Sequence, residues 1–267
     1  MSPELLRERT VRREDGLLGR MGELSVRLAR TPEDIAAAQS LRHRVFVENG
    51  AASPKGREHG LETDRFDGLC DHLLVEDRCG QTVGTYRLLC GNAGTAFYTD
   101  GEFDLAPALA RHRGRRLLEL GRSCVHPSHR DRRTIELLWQ GVWAYAVERK
   151  IEVMFGCASL PGTEPCMHAE GLSILHERTT PPEWHVGARG AQGFSIASVA
   201  RRVAEPRRAL EALPPLVKGY LRLGGRFGPD AVIDPDFGCI DVLVVLERAW
   251  ITPRYLRHYG NDASRFA

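Results

Sequence analysis

Apolar and polar residues alternate through 23–30, where Leu24, Val26 and Leu28 fall on every second position, the pattern of a half-buried strand. Thr31-Pro32-Glu33-Asp34 follows with an N-cap, a first-turn proline and acids suited to a helix N-terminus, so a helix is expected over 32–47. Two β-rich runs, 72–78 and 81–90, are separated by Cys79-Gly80 and read as a hairpin. The segment 116–126 reads as a strand that stops at Pro127. Ile135, Leu138, Val142, Tyr145 and Ala146 recur at near-helical spacing through 134–149, and 151–155 is again strand-like. Beyond Cys157 the pattern weakens: a helix is expected near 169–176, a strand near 193–198, turns at Pro214-Pro215, a strand over 239–246 and a short helix over 253–259.

This order of strand, helix, hairpin, strand, helix and strand predicts an α/β fold with a mixed sheet. The polar, glycine-containing stretch 49–68 is long enough to be a functional loop or lid. Residues 1–22, rich in Arg, Glu and Gly, read as a flexible N-terminal arm. No long linker interrupts the apolar segments of 23–267, which are therefore expected to form a single domain.

Composition narrows the class. The 267 residues are 42% hydrophobic and 27% charged, the balance of a globular protein, and a net charge of +2 gives no reason to expect a nucleic-acid partner. No apolar run approaches the roughly 18 residues of a membrane span, and the first fifteen residues hold no signal-peptide core, so a cytoplasmic protein is expected. Seven cysteines, odd in number and without paired ligand spacing, are expected to be reduced thiols with no metal. Gly121-Arg122-Ser123-Cys124-Val125 lacks the second glycine of a nucleophile elbow, and Gly219, Gly224, Gly225 and Gly228 are followed by no P-loop Lys-Ser or Lys-Thr. Cys124 and His126 lie two apart on a strand, which puts them on one face without guaranteeing proton-transfer geometry.

Charges embedded in apolar elements are more informative. Arg42 and Phe46 share a helix face; Asp64 and Asp67 close the polar loop; Arg87 lies inside the second hairpin strand. Glu119 and Arg122 lie in the strand before Pro127, on opposite faces if it is regular and closer together if a bulge intervenes. Any one of these could be a surface ion pair. Together they point to a site, since burying ions without partners costs several kcal/mol.

These residues resemble a known pattern. Arg42-x-x-x-Phe46, Asp64-x-x-Asp67, Arg87-Leu88 and Glu119-x-x-Arg122 are similar to the acyl-homoserine lactone synthases of the GNAT-like fold. Leu118-Glu119-Leu120-Gly121-Arg122-Ser123-Cys124-Val125, Leu137-Leu138-Trp139-Gln140-Gly141, Phe155-Gly156-Cys157-Ala158-Ser159-Leu160-Pro161-Gly162-Thr163 and the run from Pro214 to Gly224 more closely resemble the ornithine lipid N-acyltransferases, over about 24–260. The resemblance implies a GNAT-like mixed β-sheet flanked by helices, with a C-terminal extension. It implies transfer of a (3-hydroxy)fatty acyl chain from acyl carrier protein to the α-amine of L-ornithine, giving lyso-ornithine lipid, with no metal or redox cofactor. Glu119, Arg122, Ser123 and Cys124 would be catalytic; Arg42, Phe46, Asp64, Asp67 and Arg87 would bind substrate, with Arg42 or Arg122 on the ornithine carboxylate and Asp64 or Asp67 on its distal ammonium. An acyl-homoserine lactone synthase, an enzyme for another amino acid such as glutamine, and a non-enzymatic carrier-binding module are the alternatives.

Two features bear on the acyl donor. GNAT acetyltransferases hold the coenzyme A pyrophosphate on a glycine-containing loop, but 127–134 has no glycine, which suits acyl-phosphopantetheine on a carrier protein. Eight arginines against two acids lie between residues 111 and 133, and Arg130, Arg132 and Arg133 are expected to dock the acidic carrier; a solvated basic face or an RNA-sticky patch is the alternative. Release of a lipid product would bring the protein to the inner-membrane surface as a peripheral visitor.

Overall fold

The structure, a computed structural model, describes residues 16–54 and 59–251. In chain order, β1 (Leu17–Met21) and β2 (Leu24–Leu28) precede α1 (Pro32–His43), followed by β3 (Asp71–Glu76), β4 (Thr82–Gly91), α2 (Ala106–Arg111), β5 (Leu117–Val125), α3 (Arg132–Glu148) and β6 (Val153–Pro161). The C-terminal part holds α4 (Ala169–His176), β7 (Gly193–Ser195), α5 (Ile196–Val199), α6 (Pro206–Ala212), α7 (Pro215–Leu223), β8 (Arg226–Asp234) and β9 (Cys239–Glu247).

The nine strands form one sheet in the order β1-β2-β3-β4-β5-β6-β9-β8-β7. Every pairing is antiparallel except β5 with β6, whose connection is α3. A parallel pair needs a crossover, and α3 is well made for one. Asp131 caps it by accepting the Thr134 N–H at 2.9 Å, and Leu137, Leu138, Val142, Tyr145 and Ala146 are buried. Each large apolar side chain removed from water contributes roughly 1.5–3 kcal/mol. A second apolar layer, with Phe97, Phe103, Phe155, Trp184, Leu243 and Val245, is built on other side chains of the same sheet and the loops that cover it.

The parallel pair positions the site. β5 and β6 stay in register only from Leu117↔Val153 to Glu119↔Phe155. Beyond that point β5 continues along β4 to Val125 and β6 along β9 to Pro161, so the two halves of the sheet part. Gly156 stands at the apex, where any Cβ would collide with the Leu120 carbonyl oxygen.

Several expected boundaries move. The arm expected over 1–22 ends sooner, because Leu17–Met21 pairs with β2 as a strand; residues 1–15 lie outside the described residues. α1 is held by a capping box of Thr31 and Asp34 and stops at His43, passing into a π-helical turn, Arg44–Glu48. The strand expected from 151 starts at Val153, and the strand expected over 193–198 divides into β7 and the single turn α5. Helices α2, α6 and α7 and strand β8 are additions to the expected elements; Pro214-Pro215 begins α7 rather than a turn. The helix expected over 253–259 lies outside the described residues.

Candidate active site

Three arginines and three carboxylates form a buried lattice of ion pairs. Arg42 meets Glu62 at 2.7 Å and Asp67 at 2.7 Å; Arg87 meets Asp64 at 2.6 Å and Asp67 at 3.1 Å; Arg122 meets Glu62 and Asp64, each at 3.1 Å. Gln39 adds a hydrogen bond to Asp67 at 3.0 Å. Burial alone would raise the Asp67 pKa, but the hydrogen bond and charge of Arg42, with Gln39 and Arg87, hold it well below the usual carboxylate range. The lattice ties α1, the loop before β3, β4 and β5 together. Glu62, which belongs to it fully and is 1% exposed, was not among the expected residues: it sits in a polar loop with no periodicity to mark it.

A cavity of about 420 Å³ opens beside this lattice where β5 and β6 part. Of the expected site residues, Phe46, Glu119, Arg122, Ser123, Cys124 and Arg130 line it. Arg42, Asp64, Asp67 and Arg87, expected to bind substrate, do not; their charges are taken up by one another and by Arg122 and Glu62 behind the wall. Arg132 and Arg133 are exposed on the first turn of α3, where Arg132 pairs with Glu136 at 2.7 Å.

A bulge decides how Arg122 and Glu119 reach one cavity. Between the pairs Arg87↔Gly121 and Thr85↔Cys124, β4 has one residue and β5 has two, and Arg122 takes a left-handed φ of 51°. A non-glycine residue held there costs roughly 1–3 kcal/mol, a strain found mostly where function needs a particular aim. Here it carries the Arg122 guanidinium between the rings of Tyr98, 4.6 Å away, and Phe237, 4.5 Å away.

Glu119 is 4% exposed. Its two oxygens accept the backbone N–H groups of Tyr98 at 2.9 Å and Thr99 at 2.7 Å, which fixes the carboxylate. Burial pushes its pKa up in spite of those bonds, making it a better proton acceptor than a free glutamate. Cys124 behaves differently: burial pushes its thiol up to about 12, so it lines the cavity as a neutral group and not as a thiolate. His126 bonds Ser128 at 2.7 Å and is no partner for it. All seven cysteines are free.

The remaining wall was not anticipated. Ser159, Cys157, Asp234, Cys239 and Asp241, from β6, β8 and β9, complete it together with Tyr98 and Thr99. Asp241 could have been noticed, since it stands as a lone charge in the apolar run of β9, the same signal that marked Glu119 and Arg87.

An α/β sheet that splits between its one parallel strand pair, with a cavity in the split, is the architecture of an acyltransferase of the GNAT class; the model of the acetyltransferase (GNAT) domain matches residues 41–140. The chain is 46% identical over 271 residues to the L-ornithine N(α)-acyltransferase of Agrobacterium fabrum, covering 97% of this chain and 92% of that one. It is 46% identical to the enzyme of the same name from Rhizobium meliloti, covering 94% and 89%, and 39% identical to that from Rhodobacter capsulatus, covering 88% and 93%. The chain belongs to the L-ornithine N(α)-acyltransferase family and is an acyltransferase. Among the described residues no helix is long and apolar enough to cross a membrane.

Proposed function

We propose that the protein transfers a fatty acyl chain from acyl carrier protein to the α-amine of L-ornithine, forming lyso-ornithine lipid. The observation that carries this reading is the cavity at the β5–β6 split, whose wall holds a fixed, buried carboxylate, Glu119, within the same space as a cation, Arg122. The names of the relatives support ornithine as the acceptor.

The α-amine of ornithine is an ammonium at neutral pH and must lose a proton to attack. Glu119, directly or through a water, accepts that proton; the amine nitrogen then bonds to the thioester carbonyl carbon and the carbon–sulfur bond breaks, leaving the thiol on the phosphopantetheine arm. Beyond Glu119 and Phe155 the facing edges of β5 and β6 have no ladder partner, and their N–H groups are suited to the developing oxyanion. Of the two arginines expected to hold the ornithine carboxylate, Arg122 is in the wall and Arg42 is behind it. Arg130 lies exposed at the same cavity, and with Arg132 and Arg133 it would draw an acidic carrier to the opening. The transfer needs no metal or redox cofactor. Exposed Met167 and Leu210 would suit brief contact with a bilayer when the product leaves.

Expression in a bacterium that lacks ornithine lipids tests the reading: N-acylornithine should appear in the lipid extract. Acyl-homoserine lactone alone, or an N-acylated neutral amino acid alone, would overturn it.

A further inference from the structure

The cavity wall carries more negative charge than the transfer step uses. Asp241 on β9 is 4% exposed, lies across from Ser159 in the β6–β9 register, and accepts the Ser159 hydroxyl at 2.5 Å. Its other oxygen is 3.8 Å from the Cys239 thiol, a weak donor. Carboxylate and thiol atoms of Asp234, Cys239 and Asp241 lie within 4.8 Å of one another, and all three residues line the cavity. Glu102, from the turn before α2, packs beside Asp241, and one of its oxygens is fully buried with no hydrogen-bond partner.

None of these acids forms an ion pair with a cation among the described residues. Arg122 is close enough to favour the Asp241 charge but is held by Glu62 and Asp64. Burial, with the neighbouring charges, raises the pKa of both Glu102 and Asp241. A nine-tenths-buried carboxylate with no ion-pair partner, facing an open cavity, gains most as an anion when something positive enters.

We propose that Asp241, with Asp234 and Glu102 beside it, is the seat of the acceptor's distal ammonium and sets selectivity for a diamino acid over a neutral one. The inference rests on the reading of ornithine as the acceptor. It replaces the expectation that Asp64 or Asp67 plays this part, because both are already committed to arginines. An ammonium on a short flexible stem can reach Asp241 while the α-amine stays near Glu119, since both carboxylates line the same 420 Å³. Neutral side chains of the same length would leave the acids unpaired, which is how a polar site rejects an analogue lacking the matching group.

The test is competition between L-ornithine and L-norvaline, which has the same carbon skeleton without the ammonium, using the full chain and acyl carrier protein thioester. In Asp241→Asn the preference in kcat/KM for ornithine over norvaline should fall about 100-fold, carried mainly by the ornithine KM. Asp234→Asn keeps an oxygen to accept the N–H groups of Asp236 and Phe237, and should lower the preference by about tenfold; it serves as the reading if Asp241→Asn fails to fold. An unchanged preference in the folded variants, or equal loss on both acceptors, overturns the inference. So does loss of wild-type activity with a chelator and its return with a divalent cation, which would make the cluster a metal site. A wild-type protein that acylates no ornithine overturns the functional reading as well, whereas normal ornithine transfer with an unchanged preference overturns this inference alone.

Discussion

Two groups of acids lie on either side of the cavity wall, and they differ in what neutralises them. Glu62, Asp64 and Asp67 each meet two arginine contacts from Arg42, Arg87 or Arg122. Glu102, Asp234 and Asp241 meet none among the described residues, although Asp241 is as deeply buried as Asp67. The first group is complete within the chain and works as a frame: it joins four elements and holds Arg122 in its left-handed bulge. The second group has no cation within the chain: Glu102 keeps a proton up to about pH 8, and the charge of Asp241 and Asp234 is left for the ammonium of the acceptor proposed above. Burial of charge therefore marks structure in one place and recognition in the other, and the partner distinguishes them.

The largest effect is expected at Glu119, which belongs to neither group. Glu119→Gln should lower kcat by about 10²- to 10⁴-fold with a smaller change in the KM for either substrate, measured by steady-state kinetics on a protein whose circular dichroism is unchanged. Normal turnover would remove Glu119 from proton transfer. Next in size is the frame: Arg42→Met leaves three buried carboxylates to two arginines, with Glu62 held by Arg122 alone and Asp67 by Arg87 alone, and should cost about 3–5 kcal/mol in denaturant unfolding. A comparable loss from Asp241→Asn would erase the contrast between the groups.

Acid and base should separate the groups by sign. Asp67 has a depressed pKa in the folded protein, so its contribution is present above the ordinary carboxylate pKa and lost as pH falls through the folded value. Glu102 is pushed up to about 8 by burial and by its neighbours Asp241 and Asp234, so it keeps a proton that the unfolded chain releases near pH ~4.3. Stability should then decline as pH rises between those two values. Glu102→Gln should raise Tm at pH 8.5 by about 3–6 °C and leave it nearly unchanged at pH 5; the same shift at both pH values would contradict this origin. The smallest effect belongs to the surface: Arg132→Glu with Arg133→Glu should raise the KM for acyl carrier protein about three- to tenfold and flatten its salt dependence, while Tm barely moves because the Arg132–Glu136 pair is exposed. Indifference of the donor KM at low ionic strength would move carrier docking elsewhere.

How much of this was legible beforehand depended on the kind of signal. α3 and β9 announce themselves through long apolar periodicity, and Glu119, Arg122 and Arg87 through charge inside apolar strands. β8 is hidden because Gly228 and Pro229 imitate a turn; the register shift between Phe227 and Ala231 takes the proline out of the ladder with β9, which resumes on its far side. α7 is hidden because a Pro-Pro pair reads as a turn until the second proline is seen at the first helical position. Whether Arg122 faces Glu119 turned on a bulge that no local pattern fixes. The pairing of Asp64 and Asp67 with arginines was equally out of reach, since it is made across elements distant in sequence.

The central claim is that the cavity presents one amine of a diamino acid to Glu119 and holds the other at Asp241. Tandem mass spectrometry of the product formed by the purified chain from acyl carrier protein thioester and L-ornithine labelled with ¹⁵N at the α position measures it directly. The account predicts that the acyl group is found on the labelled α-nitrogen, with the distal amine free; acylation of the distal amine, or a mixture of the two, would contradict it.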